Sequence, residues 1–116
     1  MHEGSIVISL FEQAAQIKAR ENLLKVNKIT IEAGEMHQLV AEVMQMYFQL
    51  MRKEYPGFEE AELEIISREV KLKCLDCGAV NKIDSPLFIC PDCYSSRTEI
   101  TSGNELHIQT MEGLKD

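Results

Sequence analysis

Four cysteines in two pairs carry the clearest chemistry in this sequence. Cys74 and Cys77 form one pair and Cys90 and Cys93 the other, each with two intervening residues, and twelve residues separate the pairs. Two cysteines at this spacing form a knuckle in which both sulfurs reach one ion, and two knuckles supply the closed tetrahedral shell of a structural Zn²⁺ site. The spacing therefore predicts one structural zinc ion, with no coordination position open for catalysis.

Two disulfides, a redox pair of the thioredoxin type and an iron–sulfur cluster are the alternative interpretations of four cysteines. The N-terminal stretch MHEGSIVISL has neither a basic region nor a small-residue cleavage site, and no apolar run approaches a membrane span. We therefore expect a cytoplasmic protein that does not enter a membrane. Thiols stay reduced in that compartment, so the pattern favours zinc over disulfides.

The N-terminus is a second candidate metal site, because the sequence begins Met1-His2-Glu3. A free Met1 amine, the His2 backbone nitrogen and the His2 imidazole can chelate one metal in fused rings. Planar nitrogen donors suit Ni(II) or Cu(II), and Glu3 can supply a fourth donor through its amide or its carboxylate. Taken alone, the tripeptide also fits a flexible, exposed terminus that binds nothing.

The elements that must position these residues can be read from hydrophobic periodicity. Apolar stripes at helical spacing predict helices over 5–22 and 37–54. Alternation of apolar and polar residues predicts strands over 26–33 and 61–72, and a last strand over 106–111.

This order of elements predicts an α+β fold: a three-stranded sheet with two helices packed on one face, plus an inserted zinc-ribbon-like module. We expect the nickel-binding α/β domain to comprise 1–72 and 103–116. The zinc-binding insert, 73–102, is too short for a core of its own and is expected to need its metal to fold.

Composition and charge exclude several functions. The formal net charge is -7 and no run of Lys and Arg stands out, so the chain is not a general nucleic-acid binder. No catalytic triad, phosphate loop or pair of catalytic carboxylates can be argued, so we expect no enzyme activity.

His37, at the start of the second helix, is a candidate fourth nickel donor, whereas His107 is expected on the surface of a strand.

Several motifs occur together in a fixed order along the whole chain. They are Met1-His2-Glu3, then Ser5 and an amphipathic helix, then Gly34-Glu35, then the cysteine pairs with Cys90-Pro91, and finally Gly103-Asn104-Glu105-Leu106. In this combination the chain resembles the HypA/HybF family of nickel-insertion accessory proteins, which serve NiFe-hydrogenase maturation and, in some bacteria, urease. Gly4 stands where many members carry a larger residue.

The resemblance implies a nickel metallochaperone. It implies Ni²⁺ bound as cargo by the Met1 amine, the His2 backbone and side chain, and Glu3, with Zn²⁺ on the four cysteines. It also implies three kinds of partner: a nickel-handling GTPase, a hydrogenase large-subunit precursor and urease accessory proteins. The alternative is a zinc-ribbon adaptor with an inert N-terminus that only docks partner proteins.

Overall fold

The computed structural model describes residues 2–83 and 88–115, which form two compact units. The first consists of the described residues within 1–32, 39–66 and 107–116. The second consists of the described residues within 33–38 and 67–106, and so contains all four cysteines. The predicted insert, 73–102, lies within this second unit, which also includes segments on either side of it.

The first unit is built on a three-stranded sheet. Its helices are α1 (Glu3–Arg20) and α2 (Ala41–Met51). Its strands are β1 (Leu23–Gly34), β2 (Glu62–Arg68) and β6 (Leu106–Lys115), in the order β2-β1-β6. The last residues of β1 and of β2 and the first of β6 belong to the second unit. The predicted α+β fold, with a three-stranded sheet and two helices, is confirmed.

The core of the first unit is centred on stacked aromatic rings. The ring of Phe11 on α1 stacks on Phe48 of α2 with centroids 4.8 Å apart, and on Tyr55 at 4.4 Å. Phe58 meets the same ring edge-on at 5.7 Å. Full burial of such a side chain contributes about 1.5–3 kcal/mol. The buried residues around these rings come from both helices, from β1 and β2, and from the loop that precedes β2: Val7, Leu10, Ala14, Val26, Ile29, Ile31, Met44, Ala61 and Leu63.

Both helices differ from prediction at their ends. Helix α1 begins at Glu3 rather than at residue 5. Ser5 therefore lies inside the first turn, where its hydroxyl donates a hydrogen bond to the His2 carbonyl oxygen at 3.0 Å. Helix α2 covers only the centre of the predicted 37–54. The flanking residues form short 3₁₀ turns, Glu35–His37 and Arg52–Glu54.

The strand predicted over 61–72 is wrong as a single element. It is two strands, β2 and β3 (Lys71–Cys74), and they belong to different sheets. The sequence signalled the break, because Leu63 and Ile65 occupy odd positions whereas Val70 and Leu72 occupy even ones. A single strand would place the two apolar pairs on opposite faces.

The second unit contains a small antiparallel sheet in the order β4-β3-β5, where β4 is Val80–Lys82 and β5 is Thr98–Ser102. Leu72 at its centre is paired with Asn81 on one side and Ile100 on the other, and its side chain is buried. This sheet carries Cys74 at the end of β3, which places the first knuckle directly after a strand.

Segment 33–38 is held against 103–105 by backbone hydrogen bonds. The Gly34 amide donates to the Glu105 carbonyl at 2.6 Å, and the Met36 amide donates to the Gly103 carbonyl at 3.0 Å. A Cβ atom on Gly34 would overlap the Gly103 carbonyl, so only glycine fits there.

Within the described ranges, no helix is both long and apolar enough to cross a membrane.

Candidate metal centre

The side chains of the four predicted cysteines converge. Their sulfur atoms all lie within 4.8 Å of one another, and none is in a disulfide. Cys74 Sγ lies 3.5 Å from Cys93 Sγ, and Cys77 Sγ lies 3.7 Å from Cys90 Sγ. A disulfide needs about 2.05 Å. Four sulfurs about 2.3 Å from a central ion in a tetrahedron are about 3.8 Å apart. The cluster therefore has the dimensions of a four-thiolate metal centre.

The two knuckles have the same backbone geometry. In the first, the Gly78 amide donates to the Cys74 carbonyl at 2.9 Å, and in the second the Tyr94 amide donates to the Cys90 carbonyl at the same distance. The residue after each knuckle is left-handed, with φ of 77° at Gly78 and 60° at Tyr94. Tyr94 adopts this conformation despite its side chain, which is uncommon.

The four sulfurs interact electrostatically. A hydrogen bond from the Cys77 backbone amide, 3.4 Å from Cys74 Sγ, is the main reason that the pKa of Cys74 is lowered to about 6. A hydrogen bond from the Ser95 backbone lowers the pKa of Cys93, but the Cys74 sulfur, burial and the other two sulfurs together raise it to about 12. One thiolate thus opposes ionisation of another, and a divalent cation among them would remove that conflict.

An acidic residue inside each knuckle makes contacts that sequence reasoning missed. The Asp76 carboxylate accepts hydrogen bonds from the Ser95 hydroxyl and from Arg97 Nη1, the latter at 2.5 Å. Asp92 accepts one bond from Asn81 Nδ2, at 3.3 Å. The repeated Cys-x-Asp-Cys pattern was visible in the sequence, but the partners were not.

The N-terminal candidate site is only partly described. Met1 lies outside the described residues. His2 is exposed and immediately precedes α1. Glu3 is 3% exposed, and its carboxylate accepts a hydrogen bond from the Val40 amide at 2.9 Å. Its side chain therefore joins the first turn of α1 to the start of α2, a role that the sequence did not suggest.

The two other histidines lie in different units. His37 belongs to the second unit, where its Nε2 lies 3.1 Å from the Asn104 carbonyl oxygen. His107 belongs to the first unit, on β6, and its Nε2 lies 3.9 Å from a carboxylate oxygen of Glu32. The side chain of His107 is 55% exposed, as expected for a residue on the surface of a strand.

Comparison with known proteins places the chain in a family. Residues 1–113 match the family model described as hydrogenase/urease nickel incorporation, metallochaperone, hypA. Hydrogenase maturation factor HypA of Moorella thermoacetica is 32% identical over 114 residues, which cover 97% of this chain and 99% of the relative. Hydrogenase/urease maturation factor HypA of Helicobacter pylori is 28% identical, with full coverage of both chains.

Comparison with solved structures points to the same family. The solution structure of the Ni metallochaperone HypA from Helicobacter pylori matches all of this chain and all of its own, with a TM-score of 0.74 and 28% identity. A second solution structure of HypA protein matches with a TM-score of 0.73. The chain therefore belongs to the HypA family of hydrogenase/urease nickel-incorporation metallochaperones.

Proposed function

We propose that this chain binds Ni(II) at its N-terminus and delivers it during NiFe-hydrogenase maturation, and for urease where a cell has one. The observation that carries the proposal is the match of residues 1–113 to a nickel-incorporation family in a chain that contains Met1-His2-Glu3. The nickel ligands in this proposal are the Met1 amine, the backbone and imidazole nitrogens of His2, and the amide nitrogen of Glu3.

The surroundings of Glu3 favour its amide over its carboxylate as the nickel donor. The carboxylate is buried and accepts a hydrogen bond from Val40. The amide nitrogen of Glu3, at the first position of α1, is therefore the donor in this proposal. Four nitrogen donors from three consecutive residues would form the planar set that Ni(II) accepts.

In the same proposal, Cys74, Cys77, Cys90 and Cys93 hold one Zn²⁺. The separations between their sulfurs suit a tetrahedral ion, and four thiolates form a closed shell. Zinc held in this way cross-links the second unit and supplies no reaction chemistry. Four free thiols so close together also favour a reducing compartment, and we place the protein's action in the cytoplasm.

A protein that carries a metal ion must exchange that ion with other proteins. The proposed partners are a nickel-handling GTPase, with which the chain exchanges the ion, and the precursor of the hydrogenase large subunit, with urease accessory proteins where urease is made. The protein acts by binding and transfer rather than by catalysis. Neither nucleic acid nor a membrane has a part in this scheme.

Nickel titration of untagged protein tests the proposal, with zinc content measured in the same samples. Wild-type protein should bind one nickel ion with high affinity. His2→Ala should abolish this binding while zinc content and circular dichroism stay unchanged. A two-residue N-terminal extension should do the same, because it moves the free amine out of chelating range. Equal affinity in the extended protein would eliminate the N-terminal site.

If the chain were a zinc-ribbon adaptor that only docks partner proteins, the nickel titration would give a different result. In that case neither wild-type nor His2→Ala protein would bind nickel specifically, and His2→Ala would bind its partner proteins as well as wild type. Pull-down with the cognate GTPase, with and without nickel, separates the two functions.

A further inference from the structure

The two halves of the four-cysteine site repeat the same arrangement. Asp76 and Asp92 each directly precede the second cysteine of a knuckle. Asn81 and Arg97 each lie four positions after that cysteine. The pairing is crossed: Asp76 of the first knuckle binds Arg97, which follows the second, whereas Asp92 of the second knuckle binds Asn81, which follows the first.

The two crossed contacts differ in strength. Asp76 accepts two hydrogen bonds, one from the Arg97 guanidinium at 2.5 Å and one from the Ser95 hydroxyl. Asp92 accepts a single bond from the neutral amide of Asn81 at 3.3 Å. A charge-assisted hydrogen bond is roughly twice as strong as a neutral one. The contact made by Asp76 is therefore the dominant one.

Backbone contacts show what the Asp76 contact joins. The Ser95 carbonyl accepts from the Cys90 amide at 3.0 Å, so Ser95 is part of the turn of the second knuckle. The Arg97 carbonyl accepts from the Leu75 amide, inside the first knuckle, at 2.8 Å. The Ser95 hydroxyl accepts from the Arg97 amide at 3.0 Å. Asp76, Ser95 and Arg97 therefore form a clasp across the two pairs of metal ligands.

We propose that this clasp sets how slowly the metal leaves the four-thiolate site, with Asp76 and Arg97 as positioning residues that touch no metal. The proposal rests on the proposed zinc site. In this proposal, the ion becomes open to a competing ligand when one cysteine pair separates from the other. The clasp opposes that separation directly. An isolated exposed ion pair contributes little to stability, so the clasp matters through the two ligand pairs that it joins.

Zinc release from the full-length protein into excess chelator tests this, in wild type, Asp76→Ala, Arg97→Ala and the double variant. Loss of a residue that supports metal ligands typically costs about 10–100-fold in metal affinity. We expect each single variant to release zinc at least about 10-fold faster, while it still binds one zinc ion. The double variant should release it no faster than the singles, since both remove one contact.

Two features of this set separate a clasp from simple electrostatics. Simple electrostatics predicts opposite effects on zinc binding when an anion and when a cation beside the charged site is removed. Opposite effects of Asp76→Ala and Arg97→Ala would therefore overturn the clasp. Asp92→Ala removes the same charge at the equivalent position of the other knuckle and should change the release rate much less. Equal effects at Asp76 and Asp92 would also overturn it.

A gain-of-function variant makes the test independent of damage to the fold. Asn81→Arg places a guanidinium opposite Asp92 and should slow zinc release below the wild-type rate. Wild-type protein that retains zinc, with no change in any variant, would refute the clasp and leave the zinc site standing. Wild-type protein that binds no zinc would refute the zinc site itself.

Discussion

The carboxylate of Glu3 and the backbone amide of Val40 form a hydrogen bond of 2.9 Å between the start of α1 and the residue that precedes α2. Glu3 is almost fully buried, although it is charged and lies next to the chain terminus. A buried carboxylate with a backbone donor stabilises the fold as long as the donor remains. The residue proposed as a nickel ligand through its amide therefore has a separate structural role through its side chain.

That double role can be measured by substitution. Glu3→Ala should lower the free energy of unfolding by about 1.5–3 kcal/mol, because the Val40 amide loses a charged acceptor. Glu3→Gln should cost less, since its side-chain oxygen can still accept. Urea denaturation followed by near-ultraviolet circular dichroism reports on the aromatic core. Glu12→Ala, at an exposed position of the same helix, is the control and should change stability by less than about 0.5 kcal/mol. A cost at Glu3 no larger than at Glu12 would contradict this role.

Gly34 is expected to be intolerant of even one added methyl group. Its φ of -73° is ordinary, so the restriction is spatial: a Cβ atom would overlap the Gly103 carbonyl. Gly34→Ala should destabilise the second unit by about 1–3 kcal/mol. Gly4→Ala is the matched control, because its Cβ would only touch the Tyr47 ring at 3.4 Å within a helix. That change should stabilise by about 0.5–1 kcal/mol. Denaturant titration should show a lower free energy of unfolding than wild type for Gly34→Ala and a higher one for Gly4→Ala.

The three histidines should differ in their effect on nickel. His2→Ala should remove the proposed site. His37→Ala should weaken binding by no more than the roughly 10–100-fold that loss of a supporting residue costs, because the four proposed donors come from residues 1–3. His107→Ala should have no measurable effect, because this side chain lies on β6 near Glu32. Isothermal titration of the three variants gives the order, and a loss at His107 equal to that at His2 would contradict the proposed ligands.

Loss of one cysteine should affect the two units differently. Cys74→Ser or Cys93→Ser should loosen the proposed zinc ion and disorder the second unit, because a four-thiolate site with three thiolates is no longer closed. The hydrophobic core around Phe11 and Phe48 should persist, since every residue of that core cluster belongs to the first unit. Hydrogen exchange measured by mass spectrometry would show which amides lose protection. Loss of protection in α1 to the same degree would contradict this expectation.

Periodicity predicted much of this fold because most of its elements bury one stripe. Val7, Leu10, Phe11 and Ala14 form the buried stripe of α1 at helical spacing, and they are the residues that the core uses. The cysteine spacing likewise predicted a compact cluster, since short spacings limit where each pair can point. The break between β2 and β3 was missed, although the change of parity after Ile65 signalled it.

Contacts between residues distant in sequence were not predictable in the same way. The proximity of Gly34 to Gly103 and the hydrogen bond from Val40 to Glu3 leave no local periodic trace. The crossed pairing of Asp76 with Arg97 depends on how two similar knuckles face each other, which their spacing does not specify. Such contacts become visible only when the chain is folded.

The second unit is assembled from two stretches, 33–38 and 67–106, which the 28 residues of 39–66 separate along the chain. It therefore cannot be transplanted as one continuous cassette. A recombination event that moved 67–106 alone would leave behind the Gly34 and Met36 amides, which are the donors to Glu105 and Gly103.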